Sequence, residues 1–448
     1  MKNSNLPLLH ALLLLMYLAG SQQLQAQKKP NMIVILTDDH GIGDMSFTGG
    51  KDITTPHLDS LFKSGMHFSN FYSNSPVCSP TRASLMTGRF ADLAGVPGLI
   101  RSNENNSWGY LREDLPLLPK MLKKAGYQTA IIGKWNLGLS SPNLPNDRGF
   151  DFFKGFLDDM MDDYYTHLRR GVNFMRLNRD TINPKGHATD IFADWAIEYI
   201  KDKKQSKEPF FLYLAFNAPH FPIQPPPEWL EKVKKRNPAL SELRAKNIAM
   251  VEHMDYAIGR IITALASTGM AENTMIVYSS DNGGSLPHGA SNGNLRGGKE
   301  DMYEGGIKVP ACVVWPAVIK PGTENKDLAL TMDIFPTLCD LAGIKIEHKI
   351  DGISFLDNLK GQQKPPVDRS VFFMRREGGK YSGLCYYAQR FGKFKLVQNT
   401  PFEEMQLFDM EADPLEQHPL DKSTKEFQKL VNSLTQYIRM SGAIKWQK

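Results

Sequence analysis

Several strand-length stretches of this chain are apolar almost without interruption: NMIVILT (31–37), TAII (129–132), PFFLYLAF (209–216), MIVYSS (275–280) and VPACVVW (309–315). A strand with one wet face alternates apolar and polar residues. A run that does not alternate must be covered on both faces, which is the situation of strands inside a parallel sheet. The intervening sequence supplies the cover. Helical patterns are expected over 55–63, over 115–124 (closed by Gly126), over 188–201, over 243–268 (ending at Gly269), and over 333–341 with Asp333 as N-cap and Gly343 as stop. Residues 66–72 read as extended. The fold class is therefore α/β, a large mostly parallel central sheet sandwiched by helices. After about residue 345 the pattern changes to short extended runs (371–374, 385–390, 393–397) and a last helix over 426–440. This predicts a small antiparallel sheet plus helix as a C-terminal α+β subdomain, 346–448, behind a catalytic domain at 27–345.

The first 26 residues are read separately. Lys2 opens them, 6–19 is nearly all apolar, and a short small-polar stretch leads to Ala26. That is the pattern of a cleaved secretory signal, so the expected location is exported, periplasmic or secreted, with no membrane span after cleavage. No cysteine follows the apolar run, which disfavours a lipoprotein. The 53 Lys+Arg against 48 Asp+Glu give a formal charge of +5 without any long basic run, so no nucleic-acid arm is expected. Four cysteines in 448 residues do not make a disulfide scaffold. Cys312 and Cys339 lie in apolar patterns and read as buried packing residues. Cys78 lies instead in the polar stretch SNSPVCSPTRASLMTGR.

In an open parallel sheet, ligands bind beyond the carboxyl ends of the strands. There the sequence places Asp38–Asp39–His40, Lys134–Trp135–Asn136, Asn217 with His220, and Asp281–Asn282. One such group is an ordinary loop; four groups on one edge point to a cleft. Asp38, Asp39, Asp281 and Asn282 offer oxygen ligands only, and crowded carboxylates need a cation, so a hard divalent ion, Ca²⁺ or Mg²⁺, is expected. Gly41 and Gly43 do not make a dinucleotide fingerprint, because Ser46 stands where the third glycine belongs and the acids would repel a pyrophosphate. Pro80 suits a first helical turn, which puts Cys78 at a helix N-terminus with Arg82 one turn on. Read generically, that is a reactive thiolate beside an anion pocket.

These residues resemble the sulfatase family of the alkaline-phosphatase superfamily. CSPTRASLMTGR resembles its first signature, built on C-x-P-x-R with T-G-R downstream, and GKWNLG its second. NMIVILTDDHGIGD, NAPHFP, SSDNGG, GGKEDMYEGGIKVP and LFDMEADPLEQHPL resemble further family blocks in the same order, so the likeness spans nearly the whole chain after residue 26.

The resemblance implies that Cys78 is oxidised to formylglycine by a formylglycine-generating or anaerobic sulfatase-maturing enzyme. The aldehyde hydrate carries two hydroxyls; one attacks the sulfur of a sulfate ester and the other later expels sulfate. It implies one Ca²⁺ held by Asp38, Asp39, Asp281, Asn282 and the residue made from Cys78. Arg82 would steady that residue and the metal-side carboxylates, and Lys134 and Lys299 would hold the sulfate. His220 would bind sulfate or protonate the leaving oxygen. The departure is Asn136, where the family commonly has a histidine thought to help expel sulfate; an amide does not titrate at neutral pH.

The expected activity is hydrolysis of O-sulfate from a sulfated carbohydrate: a glycosaminoglycan, mucin or algal polysaccharide. Trp108, Tyr110, Asp162, Asp163, Tyr164, His167 and Arg169 sit in long connections where sugar contacts are expected. Two alternatives stand beside this. One is a phosphate or phosphonate ester hydrolase of the same superfamily; the other is a catalytically weak sulfated-glycan-binding protein whose turnover was lost through Asn136.

Overall fold

In the computed structural model, which describes residues 29–362, 368–377 and 382–447, five strands run parallel at the centre of one sheet. They are β1 (Asn31–Thr37), β2 (Gln128–Lys134), β3 (Phe152–Phe156), β4 (Phe210–Ala215) and β5 (Thr274–Ser280), in the order β5-β1-β4-β2-β3. β1 is central, with Val34 paired to Tyr213 on one side and to Val277 on the other. Successive residues of a strand point to opposite faces, and here both faces are apolar. Met32, Val34 and Leu36 pack with Leu85, Leu118 and Leu338 from helices Cys78–Thr87, Leu118–Lys124 and Ile334–Leu341. Ile33 and Ile35 pack on the other face with Leu58, Phe192, Val251 and Ile258 from helices Pro56–Lys63, Ala188–Asp202 and Glu242–Ser267. This is the two-sided cover that the unbroken apolar runs require.

The sheet has ten strands and is mixed. Beyond β5, Ala311–Val314 adds antiparallel, followed by Met66–Phe68 and Thr323–Asn325. Beyond β3, Met175–Leu177 and Asp180–Thr181 also run antiparallel. The expectation of a mostly parallel sheet holds through the centre, and the flanking strands add antiparallel pairs to it. VPACVVW is as apolar as its neighbours, but composition carries no strand direction.

A second sheet follows the chain from Val371–Arg376 through Cys385–Phe391 and Phe394–Gln398 to Gln406–Asp409, all antiparallel. Helix Lys425–Ser441 lays Leu430 and Leu434 on Leu396 and Leu407 of that sheet. Thr424 caps this helix, its side chain accepting from the Phe427 N–H. Asp333 precedes helix Ile334–Leu341 as expected, yet its carboxylate serves elsewhere, accepting from Leu330 N and Ile353 N and pairing with Arg369. The segment expected to be a secretory signal lies outside the described residues. Among those described, no helix is long and apolar enough to cross a membrane.

Candidate active site

Because β1, β2, β4 and β5 are parallel neighbours, their carboxyl ends open on one edge. β1 delivers Asp38 and Asp39, β2 ends on Lys134 with Asn136 just beyond, β4 leads to His220, and β5 leads to Asp281 and Asn282. Glycines allow the close approach. Gly133, at φ +102°, lies where a Cβ would come within 1.9 Å of the Ala215 carbonyl, and a Cβ on Gly283 would come within 1.8 Å of the Gly305 carbonyl. Helix Cys78–Thr87 points its N-terminus into the same place, with Cys78 as its first residue. Lys299 arrives from a loop, its backbone N–H bonded to Gly284 O.

The side chains interlock. Cys78 Sγ lies 3.4 Å from Asp38 Oδ1, and Lys134 Nζ lies 2.5 Å from Asp38 Oδ2. Lys299 Nζ lies 2.8 Å from Asp39 Oδ2, and His220 Nε2 lies 3.8 Å from the same oxygen. Arg82 donates through Nε (3.0 Å) and Nη2 (2.7 Å) to Asp281 Oδ2, and its Nη2 stands 3.6 Å from Asp38. The Asp39 N–H reaches Asp281 Oδ1 at 3.3 Å. Asn282 Nδ2 donates to Asp39 Oδ1 at 2.8 Å, while its own Oδ1 is buried without a hydrogen-bond partner.

All of these groups are buried except Lys299, which keeps a small exposed fraction. Burial pushes the Asp38 carboxyl up, but Lys134, His220 and Arg82 outweigh it and hold the group well below the usual carboxylate range. Asp281 goes the other way, pushed up to about 7 by burial and by the charge of Asp38, with Arg82 opposing. Burial works against the charge on Lys134 and Lys299, yet the neighbouring aspartates raise both. The generic expectation of a reactive Cys78 thiolate is not met. Burial and the Asp38 charge push the thiol well up, so the helix N-terminus and the lysines do not win. Cys78 as a plain thiol is poorly suited to be a nucleophile here.

His220 donates Nδ1–H to the Phe221 carbonyl at 2.7 Å, which leaves a lone pair on Nε2 facing Asp39. Burial and Lys299 bring its imidazole down to about 4. Asn136 sits at φ +55°, a left-handed conformation that asparagine tolerates better than most residues. Its Nδ2 donates to Ile100 O at 2.9 Å, and its Oδ1 is buried without a hydrogen-bond partner.

Every residue expected at the site thus lies on this one edge. Ligating atoms of Asp38, Asp39, Cys78 and His220 fall within 4.8 Å of one another. Asp281 is turned toward Arg82, and Asn282 contributes its free oxygen. This donor set, carboxylate oxygens with an orphaned buried amide oxygen, fits a hard divalent cation.

The residues expected to meet a sugar are mostly engaged in structure. Trp108 stacks on Trp446, Tyr110 pairs with Glu113, and Asp163 accepts from Tyr165 N, Thr166 N and Gln224. Arg169 binds Asp159 and Asp162, and His167 is buried against Gly186 O. Tyr164 is buried with its hydroxyl 2.8 Å from both Asn217 O and His220 O, so it fixes the turn that carries His220. Tyr213 was legible only as a core aromatic of β4; its hydroxyl lies 3.3 Å from Arg82 Nη1, and no sequence signal distinguishes it.

Comparison with known proteins gives this geometry a relative. The family described as Sulfatase matches residues 30–344, and the one described as N-sulphoglucosamine sulphohydrolase, C-terminal, matches 298–442. The chain is 30% identical to N-acetylgalactosamine-6-sulfatase of Mus musculus, covering 96% of this chain and 89% of that one. It is 34% identical to Arylsulfatase J of Mus musculus over 76% of this chain and 57% of the relative. Among solved structures, Ps i-CgsB in complex with k-i-k-neocarrahexaose superposes with TM-score 0.83 at 31% identity, covering 91% of this chain and 92% of that one. A Bacteroides thetaiotaomicron sulfatase from a glycosaminoglycan-metabolism locus gives TM-score 0.75 at 25% identity, with coverages of 92% and 100%. By family match, by sequence and by fold, the chain belongs to the sulfatase family and is a sulfatase enzyme.

Proposed function

We propose that this sulfatase removes O-sulfate from a sulfated glycan, using a formylglycine made from Cys78 and a Ca²⁺ ion held at the strand ends. The observation that carries the reading is the convergence of Cys78, Asp38, Asp39 and His220 at the N-terminus of a helix, with Lys134 and Lys299 on either side. Asp38, Asp39, Asn282 and the residue made from Cys78 would hold the ion, with Asp281 beside them. When bound, it supplies Lewis-acid polarisation of a sulfate oxygen.

The protein's own residues account for the rest. Lys134 and Lys299 present ammonium groups to an anionic sulfate and to charge that develops on its oxygens. Arg82, locked to Asp281, keeps that carboxylate from spreading and steadies the edge to which Cys78 belongs. His220 Nε2 carries the lone pair that can bind a proton once a sulfate anion is near, and protonation of a leaving oxygen is worth roughly 10²–10⁴ in rate. Asn136 has an unsatisfied oxygen to accept a hydroxyl proton but no titratable group. Conversion of Cys78 requires a maturation enzyme, and the first 26 residues suit export of the product.

A sugar sulfate as substrate is supported by the relatives: one is an N-acetylgalactosamine-6-sulfatase, and one structure holds a neocarrahexaose. The test is sulfate release from a panel of defined sulfated mono- and oligosaccharides, with an aryl sulfate and an aryl phosphate as references. Release from at least one sugar, exceeding phosphate release from the aryl phosphate, is expected. Sugar binding without any release would favour the glycan-binding alternative.

A further inference from the structure

Away from the strand ends, His187, Asp190 and His253 bring two imidazoles and a carboxylate together, their ligating atoms within 4.8 Å of one another. His187 is the N-cap of helix Ala188–Asp202, Asp190 lies in its first turn, and His253 comes from the middle of helix Glu242–Ser267. Both histidines are buried, 3% and 2% exposed, whereas the Asp190 side chain is 39% exposed and opens the cluster to solvent.

The hydrogen bonds fix how the imidazoles face. His187 Nε2 lies 3.0 Å from the Gln224 carbonyl, which can only accept, so Nε2 carries the proton and Nδ1 the lone pair. That lone pair meets only the Thr189 N–H, at a long 3.3 Å. A ring nitrogen pinned by a backbone carbonyl, with the other left as a lone pair, is how proteins orient a metal-binding histidine. His253 Nε2 stands 3.0 Å from Asp190 Oδ1, and its Nδ1 is buried without a hydrogen-bond partner. The cationic neighbour is Arg260, 3.6 Å from Asp190 and itself paired with Asp194.

We propose that His187, Asp190 and His253 form a second metal site, for a divalent ion of the zinc class, separate from the oxygen-rich site at the strand ends. Two imidazoles and a carboxylate suit a borderline ion better than calcium, and a fourth position is left to water on the Asp190 side. The site is placed to brace the catalytic wall. Gln224, which receives His187, also accepts the Tyr164 N–H at 2.8 Å, and the Tyr164 hydroxyl holds the His220 carbonyl.

The test uses the full chain, stripped with chelator and titrated with ZnCl₂ in calcium-containing buffer, reading metal retained after gel filtration and the thermal midpoint. About one zinc per chain and a raised midpoint are expected, with Asp190→Asn and His253→Gln each binding at least ~10-fold more weakly. Asp39→Asn, which alters the strand-end site, should still retain zinc. Asp190 is half-exposed, so Asp190→Asn keeps the test alive if His253→Gln fails to fold. Zinc retained equally by wild type and Asp190→Asn, lost from Asp39→Asn, or never taken up by wild type at micromolar concentration would overturn the proposal.

Discussion

Two of the buried charge clusters among the described residues are built differently. At the joint where the C-terminal sheet meets the short helix Glu304–Ile307, Lys395 Nζ meets Glu304 at 2.9 Å and Glu416 at 2.8 Å. Tyr72 donates its hydroxyl to Glu304 Oε2 at 2.7 Å, the Glu304 N–H donates to Glu416 Oε2 at 2.7 Å, and Arg390 contacts Tyr72 and stands 3.8 Å from Glu304. Two acids face two bases, and each carboxylate oxygen has a charged or polar neighbour, Glu416 Oε1 through its ion pair with Lys395 alone, while Arg390 Nε is buried without a hydrogen-bond partner. At the strand ends, three carboxylates face Arg82, Lys134 and Lys299, yet Asn282 Oδ1 and Asn136 Oδ1 remain without hydrogen-bond partners. At the joint every acid is matched by a cation of the chain; at the strand ends two amide oxygens point at no donor and no cation, which suits a site that must receive an ion and an anion. Substitutions should therefore cost stability at the first and activity at the second.

The sharpest separation should come from Cys78→Ala and Lys134→Ala. Each is expected to reduce sulfate release to below roughly a thousandth of wild type, with the thermal midpoint little changed for Cys78→Ala. Mass analysis of active protein should show the Cys78 side chain as an aldehyde. Retained turnover in either variant, or an unmodified thiol in fully active protein, would collapse the distinction between the clusters. Removing metal with a chelator comes next. Activity should fall and return with added Ca²⁺, and the midpoint should drop as a ligand of the folded state is withdrawn. A demonstrably metal-free sample with full activity would take the ion out of the account.

Lys395→Met probes the other side. It leaves Glu304 and Glu416 buried without their shared cation, for an expected loss of about 3–5 kcal/mol in denaturant unfolding. At a temperature where the variant is folded, its kcat should stay near wild type. A large loss of kcat with little loss of stability would show that the joint belongs to the catalytic machinery.

Much of the strand-end cluster was legible in the sequence because apolar runs stop abruptly on acids and amides: NMIVILT on Asp38, MIVYSS on Asp281. A parallel arrangement then forces those ends together. Lys299 was legible only through its family block, since it arrives from a loop with no periodicity. Strand β3 has no clear sequence signature because FFKGF carries a lysine and a glycine, and neither has helix Pro227–Arg236, whose prolines and basic run mask a face that buries only Val233. Gln406–Asp409 is too short a strand to show a pattern. The joint was not legible at all. Glu304, Lys395 and Glu416 are separated in sequence and each resembles a solvated surface charge, and only packing of the C-terminal sheet against the short helix Glu304–Ile307 brings them together.

The smallest expected effect is a pH dependence that belongs to the joint. Burial pushes the Glu304 carboxyl up, but Lys395, Arg390 and Lys308 outweigh it and bring it down to about 2. In the unfolded chain the group titrates near the ordinary glutamate value of about 4.3. Its folded pKa is the lower one, so its contribution is fully present above the unfolded value and is lost as pH falls toward about 2. Glu416, raised by burial and by the Glu304 charge, runs partly against this and makes the net effect modest. Comparison with Glu304→Gln isolates the joint, because carboxylates outside it titrate alike in both proteins, while Glu416 in the variant loses the Glu304 charge that raises it. The stability advantage of wild type over the variant, read from urea midpoints, should be constant near neutrality and shrink below about pH 4.3. An advantage that instead grew on acidification would mean that Glu304 is held protonated, and the joint would then be as unsatisfied as the strand-end cluster.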